Sequence, residues 1–279
     1  MQKGKTGNAW GLDFSFPLQG RAVRPRQKGL TMILDKGTGL RETLDLLEMC
    51  AEYIDFWKLS FGSSALYDPA LLRKKIKLIH SFHIRVYPGG TFTEIAFVQG
   101  KLKPYLNRAK ELGFTAIEVS DGTIELSARQ RSSIIKTARE AGLLVLTEIG
   151  KKEAGEIFDP ELVSAQINKD LEDGAYKVIL EARESGKDVT IFNAQGDIEQ
   201  EKMDKLLMFT AAQEQIIWEA PLKKQQVNFI TLLGPNVNLG NIATGDVLAL
   251  ESLRTGMRAD TFKLTLEQNT TKQHTGFYG

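Results

Sequence analysis

Eight times along this chain a short apolar run ends in charged or glycine-rich residues and gives way to a stretch with helical periodicity. The runs span 30–37, 54–62, 84–90, 116–122, 143–152, 177–183, 216–221 and 227–236. Strict alternation of strand and helix with right-handed crossovers leaves two architectures, an open doubly wound sheet or a closed eightfold barrel. Asp55, Lys58 and Glu118 interrupt the apolar runs, which suits strands whose ends face a wet cavity. The length of 279 residues also matches the roughly 250 that eight such units need as one domain. The expectation is an α/β protein, a single-domain (β/α)8 TIM barrel over 28–263. An N-terminal arm or short helix over 1–27 would pack on it, and a polar C-terminal tail would follow over 264–279.

Between the strands, Leu40, Leu44, Leu47 and Ala51 recur at the helical period and predict a helix over 39–53. Asp68-Pro69 caps a second over 69–81. Further helices are expected over 92–112, 127–141, 160–173, 198–211 and 246–255, with Ser127, Asp159 and Asp246 as caps. Only one or two helical turns are expected over 221–226, between the seventh and eighth strands.

With 36 basic against 35 acidic residues the net charge is +1, so no global field draws in nucleic acid or an anionic membrane. Any anion site must be local. No segment reaches the roughly 18 uninterrupted apolar residues of a membrane span, and Met1-Gln-Lys-Gly-Lys5 lacks the apolar run of a secretory signal. The lone Cys50 sits in an apolar helical pattern and reads as a small core residue in a reducing compartment, so a cytoplasmic location is expected. Zinc spacings, a Walker loop, G-x-G-x-x-G and G-x-S-x-G are absent, and His80, His83 and His274 fall outside the strand ends. Association into a homo-oligomer through the outer helices is expected.

In an eightfold barrel the residues that close each strand meet in one pocket. Here they are Asp35 and Lys36, Lys58 and Ser60, Tyr87 with Gly89-Gly90-Thr91, and Ser120 with Asp121. The later strands add Glu148 with Lys151 and Lys152, Glu181 and Arg183, Glu219, and Asn236 with Asn238. Cations in one mouth suit a polyanionic substrate, and carboxylates among them suit a divalent cation bridging to it. One to three of Asp35, Asp121, Glu148, Glu181 and Glu219 would hold magnesium, a hard cation that keeps waters. Residues 234–241, read as following the eighth strand, form a glycine-containing turn expected to bind phosphate through backbone amides. Each charged rim residue taken singly has a structural alternative, a pairing with its neighbour across the rim.

The strand ends also carry a family resemblance. The strings are Leu34-Asp-Lys-Gly37, Tyr87-Pro-Gly-Gly-Thr91, Glu118-Val-Ser-Asp-Gly122, Leu146-Thr-Glu-Ile-Gly-Lys-Lys152, Glu181-Ala-Arg-Glu-Ser-Gly186, Trp218-Glu-Ala-Pro221 with Gln225-Gln226, and Val237-Asn-Leu-Gly-Asn-Ile242. In order, between residues 11 and 263, the chain resembles phosphosulfolactate synthase. That resemblance implies a barrel adding sulfite to phosphoenolpyruvate with magnesium, giving (2R)-phospho-3-sulfolactate through an enediolate-like intermediate protonated by a lysine. It gives the proton to Lys152, or to the adjacent Lys151, and puts Lys36 and Lys58 in the same mouth as catalytic candidates. Arg183, Ser120, Asn236, Asn238, Gly240 and Asn241 are then candidates for substrate binding, and Glu148, Glu181 and Asp121 for magnesium. After the second strand, Lys58-Leu-Ser-Phe-Gly-Ser-Ser64 departs from the family pattern by lacking a tryptophan, which changes the pocket wall and leaves the lysine. Two other readings fit a chain of this kind: a non-catalytic stress-associated barrel, and another lyase acting on phosphoenolpyruvate or a sugar phosphate.

Overall fold

A computed structural model describes residues 10–11, 13–150, 158–210 and 212–266. Among them run eight strands: β1 (Thr31–Asp35), β2 (Phe56–Leu59), β3 (Arg85–Pro88), β4 (Ala116–Val119), β5 (Leu144–Ile149), β6 (Lys177–Leu180), β7 (Ile216–Glu219) and β8 (Leu239–Ala243). All pair in parallel, in the order β3-β2-β1-β8-β7-β6-β5-β4. The helices between and after them are α1 (Leu40–Cys50), α2 (Pro69–Ser81), α3 (Gly90–Val98), α4 (Leu102–Leu112), α5 (Ala128–Glu140), α6 (Pro160–Asp173), α7 (Gln200–Phe209), α8 (Lys223–Leu233) and α9 (Val247–Arg254). The result is a nearly closed (β/α)8 barrel. None of the described helices is long and apolar enough to cross a membrane.

Residues along a strand alternate between its two faces. On the barrel's inner face Met32, Phe56, Tyr87, Ala116, Leu146, Ile179 and Ile217 form one fully buried layer. On the outer face Ile33, Trp57, Val86, Val178 and Trp218 pack under the helices. Buried on both sides, the strands read as continuous apolar runs. Two residues further along the inner face the chemistry changes: Phe56 is followed by Lys58, Ala116 by Glu118, Leu146 by Glu148, Ile179 by Glu181 and Ile217 by Glu219. One period of two thus builds an apolar plug and then a charged layer above it.

Closure is least regular between β3 and β4. Arg85 and Gly89 donate their amides to Asp55 and Leu59 on the β2 side, so the alternate residues Val86 and Pro88 face β4. Pro88 has no N–H to give, which is why proline in sheets is found at edges. The seam is joined by Thr115, whose amide donates to the Val86 carbonyl at 3.1 Å and whose hydroxyl accepts the Val86 amide at 3.0 Å. Side chains near the mouth complete it. Glu118 on β4 accepts the Gly90 amide at 2.7 Å. In return, Glu94 on α3 accepts the Ser120 hydroxyl and the amides of Gly122 and Thr123 beyond β4.

Most predicted helices fall where the periodicity puts them, and α2 begins at Pro69 with the Asp68 carboxylate accepting the amides of Ala70 and Leu71. Two elements differ. The helix expected over 92–112 is two, because Gly100 takes φ +64° after α3, a conformation that ends a helix and favours glycine. The run 227–236, expected as the eighth strand, lies largely in α8. Its β-branched and aromatic residues read as a strand, but Gln225, Gln226, Phe229 and Ile230 are buried at helical spacing, with the Phe229 ring 5.1 Å from that of Trp218. The true eighth strand begins at Leu239, inside what was expected to be a phosphate-binding turn. Of the arm or short helix expected over 1–27, the described residues from 13 onward contain no helix and cross the N-terminal end of the barrel. There Arg26 pairs with Asp55 at 3.0 Å, Arg21 with Glu251 at 2.9 Å, and Asn236 accepts the Ala22 amide and donates to the Gly20 carbonyl.

Candidate active site

The charged inner layer opens into a cavity of 310 Å³ at the C-terminal ends of the strands, walled also by Leu34, Phe61, Gly90, Thr91, Arg183, Glu184 and Asn241. Lys58 occupies its floor. The Lys58 ammonium lies 2.9 Å from Glu118 Oε2, 3.1 Å from Glu148 Oε2 and 3.6 Å from Glu219 Oε1. Burial alone would depress this lysine, but the three carboxylates outweigh it and hold it well above its ordinary value. Lys58 is therefore a fixed cation whose charge is already matched, rather than a free one awaiting an anion.

The carboxylates exceed what Lys58 can neutralise. Burial drives the Glu118 carboxyl up to about 7 against the pull of Lys58, and it raises Glu219 as well. Glu181 is pushed well above the usual range by burial and by the neighbouring Glu148 and Glu219 carboxylates. Five glutamates and two cations, Lys58 and Arg183, line the cavity among the described residues.

Arg183 enters from the turn after β6. Its φ of +56° lies in the left-handed region, strained for a residue with a Cβ, and its amide donates to the Glu181 carboxylate. Nε and Nη2 of its guanidinium are buried without a hydrogen-bond partner among the described residues. Asn241 arrives by a different device. Between Thr31 and Ile33 of β1 the partner strand advances from Leu239 to Ile242, an extra residue that marks a β-bulge. At that bulge Asn241 takes φ +53°, and its Oδ1 is buried without a partner among the described residues.

The remaining expected site residues scatter. Lys36 is half exposed and pairs with Glu184 over the rim. Ser120 donates to Glu94, and Asp121 pairs with Arg131 at 3.1 Å, so both belong to the β4–α5 framework and neither lines the cavity. Asp35 is likewise structural: it accepts the amides of Gly37 and Thr38, the Trp57 indole and the Lys75 ammonium, the last at 2.6 Å. Burial would raise its carboxyl, yet Lys75 and the two amides hold it below its usual range. Asn236 and Asn238 stand at the opposite end of the barrel, where Asn238 accepts the Leu30 amide and donates to the carbonyls of Glu214 and Ile216. Gly240 faces the interior of β8, where a Cβ would lie 2.5 Å from Met32 Cε. It makes room for packing and does not border the cavity. Lys151 and Lys152 lie outside the described residues. Glu118 and Phe61, absent from the expected site, line it. The signal for Glu118 was available in the inward period shared with Lys58, Glu148, Glu181 and Glu219.

No three acidic, histidine or cysteine side chains among the described residues converge as a ready-made metal cage. Magnesium, however, is commonly held by one or two carboxylates with waters and substrate oxygens completing its shell. Glu148 and Glu181, hard oxygen donors that line the same cavity, fit that description.

Comparison with known proteins decides the family. The profile described as (2R)-phospho-3-sulfolactate synthase (ComA) matches residues 19–260. The chain belongs to the phosphosulfolactate synthase family. It is 43% identical to the phosphosulfolactate synthase of Methanocaldococcus jannaschii over 240 residues, 85% of this chain and 94% of that one. To the phosphosulfolactate synthase of Bacillus subtilis it is 36% identical over 260 residues, 90% of this chain and 99% of that one. Membership of the phosphosulfolactate synthase family makes the chain an enzyme. Its fold also resembles the crystal structure of a 3-keto-L-gulonate-6-phosphate decarboxylase from Vibrio cholerae, with a TM-score of 0.50, 14% identity, and coverage of 82% of this chain and 97% of that one.

Proposed function

We propose that this enzyme is a carbon–sulfur lyase catalysing the magnesium-dependent addition of sulfite to phosphoenolpyruvate, giving (2R)-phospho-3-sulfolactate. The observation that carries the reading is the pairing, in one 310 Å³ cavity, of an arginine whose buried Nε and Nη2 have no partner among the described residues and a set of carboxylates that outnumber the described cations beside them. Phosphoenolpyruvate bears about three negative charges near neutral pH and sulfite about one to two, so their approach in a low-dielectric cleft demands counter-charge.

In this reading Arg183 binds an anionic group of the substrate through Nε and Nη2. Lys58 keeps Glu118, Glu148 and Glu219 in place, and Leu34 and Phe61 limit the entry of water. Glu148 and Glu181 would hold magnesium, which when bound supplies positive charge beside the carboxylate as electrons move onto it. The sulfur lone pair forms a C–S bond at the methylene carbon, and the π electrons shift toward the adjacent carbon and its carboxylate. A proton delivered to that adjacent carbon completes the product. The family resemblance assigns that proton to Lys152, with Lys151 as the alternative.

The test is a product assay with purified protein, phosphoenolpyruvate, sulfite and magnesium, read by mass spectrometry and chiral analysis. The expected result is phospho-3-sulfolactate of one configuration, lost on chelation and restored by magnesium. No sulfonate product at saturating substrates would overturn the reading.

A further inference from the structure

Arg131 projects from α5, is 3% exposed and borders no part of the cavity, yet all three of its guanidinium nitrogens are engaged. Nε and Nη2 bind the Asp170 carboxylate of α6 at 2.8 and 2.6 Å. Nη1 binds Asp121, beyond β4, at 3.1 Å. Nη2 also donates to the main-chain carbonyl of Glu148 at 3.0 Å. The ladder between β4 and β5 ends at the pair Val119 and Thr147, so this carbonyl lies one residue beyond the last strand partner on that side. A buried carbonyl without a donor is costly, and Arg131 supplies the donor.

We infer that Arg131 is a positioning residue: by holding the Glu148 carbonyl it fixes the end of β5 and the point from which the Glu148 carboxylate meets Lys58 and Glu181. The inference rests on the cavity being the site of the proposed reaction. A planar fork with several donors can serve two carboxylates and a carbonyl together, whereas the point charge of a lysine cannot. Arg131 touches no substrate-lining surface, so its loss should act on the chemical step through geometry and leave the anion contacts of Arg183 alone. Misplacement by about 1 Å costs catalysis about 100-fold.

The experiment compares Arg131→Lys with Asp170→Asn, which weakens the buried pair but leaves the bond to Glu148. Steady-state kinetics and thermal unfolding are measured for both. Arg131→Lys is expected to lower kcat by about 10- to 100-fold, with the phosphoenolpyruvate KM within about threefold of the parent. Asp170→Asn should lose stability while keeping kcat within about threefold. If Arg131→Lys does not fold, Arg131→Met with Asp170→Leu removes the charge pair as a unit and is held to the same criterion. A kcat close to the parent's in the Arg131 variant overturns the inference, as does an equal kcat loss in Asp170→Asn or a KM that rises in step. A parent enzyme that makes no sulfonate product instead sinks the reading of the reaction, before any variant is compared.

Discussion

Glu118 joins two elements with its two oxygens: Oε2 lies 2.9 Å from the Lys58 ammonium of β2, and Oε1 accepts the Gly90 amide of α3 at 2.7 Å. One side chain therefore orders the charge of the cavity and closes the barrel beside it.

Replacing Lys58 with methionine leaves Glu118, Glu148 and Glu219 buried without their common cation. Breaking a buried ion pair from one side costs about 3–5 kcal/mol, and denaturant unfolding at neutral pH should show a loss of that order. A Lys58→Met protein as stable as the parent would show that the cage contributes nothing to the fold.

Glu118 also gives stability a pH dependence with a definite sign. Its carboxyl is raised from 4.5 to about 7 in the folded protein, so the folded state binds the proton more tightly than the unfolded chain. The stabilisation from that proton is complete below pH 4.5 and is lost as pH rises through about 7. Glu118→Gln removes the titration. Between those two pH values the parent should lose stability relative to the variant, and above them the difference should level off. A difference that stays constant across the window contradicts the assignment.

Gly90 is a test of the seam. A Cβ there would lie 2.7 Å from Glu118 Oε1 and closer still to Ser120 Oγ, so Gly90→Ala must push α3 away from β4. We expect a lower melting temperature together with faster amide exchange for Val86 and Thr115, read by hydrogen exchange. Exchange at those two amides equal to the parent's would mean that the helix start does not pin the seam.

Arg183→Gln keeps a hydrogen-bonding head and removes the charge. Hydrogen bonds to charged groups contribute about 1.5–3 kcal/mol, which corresponds to a rise of roughly 10- to 100-fold in the phosphoenolpyruvate KM. Isothermal titration with phosphoenolpyruvate and magnesium checks the same number without turnover. Unchanged affinity would remove Arg183 from the substrate contacts.

The barrel was legible because repeated alternation of buried strand and amphipathic helix admits few architectures, and seven of the eight strands lie within their apolar runs. The eighth was misread because local preference for extended backbone at Val227, Phe229, Ile230 and Thr231 competes with packing that only the assembled fold supplies, such as Phe229 on Trp218. That one shift carried Asn236 and Asn238 from the expected mouth to the opposite end. The glutamate layer could have been read more fully, since Glu118 obeys the same inward period as Glu148 and Glu219. The roles of Ser120, Asp121 and Lys36 could not, because Glu94, Arg131 and Glu184 meet them from positions 26, 10 and 148 residues away. The bulge that turns Asn241 toward the cavity likewise depends on register with β1.

The proline-bearing edge of β3 gives the wall an unusual mechanical character. Seven of its strand junctions are hydrogen-bonded ladders, one of them carrying the bulge at Asn241, while the eighth is fastened chiefly by Thr115, Glu118 and Glu94. Such a molecule behaves as a ribbon rolled until its borders meet and then riveted. Its weakest line under load, and its natural point for cutting and re-joining the chain in a circular permutant, falls between the third and fourth strands.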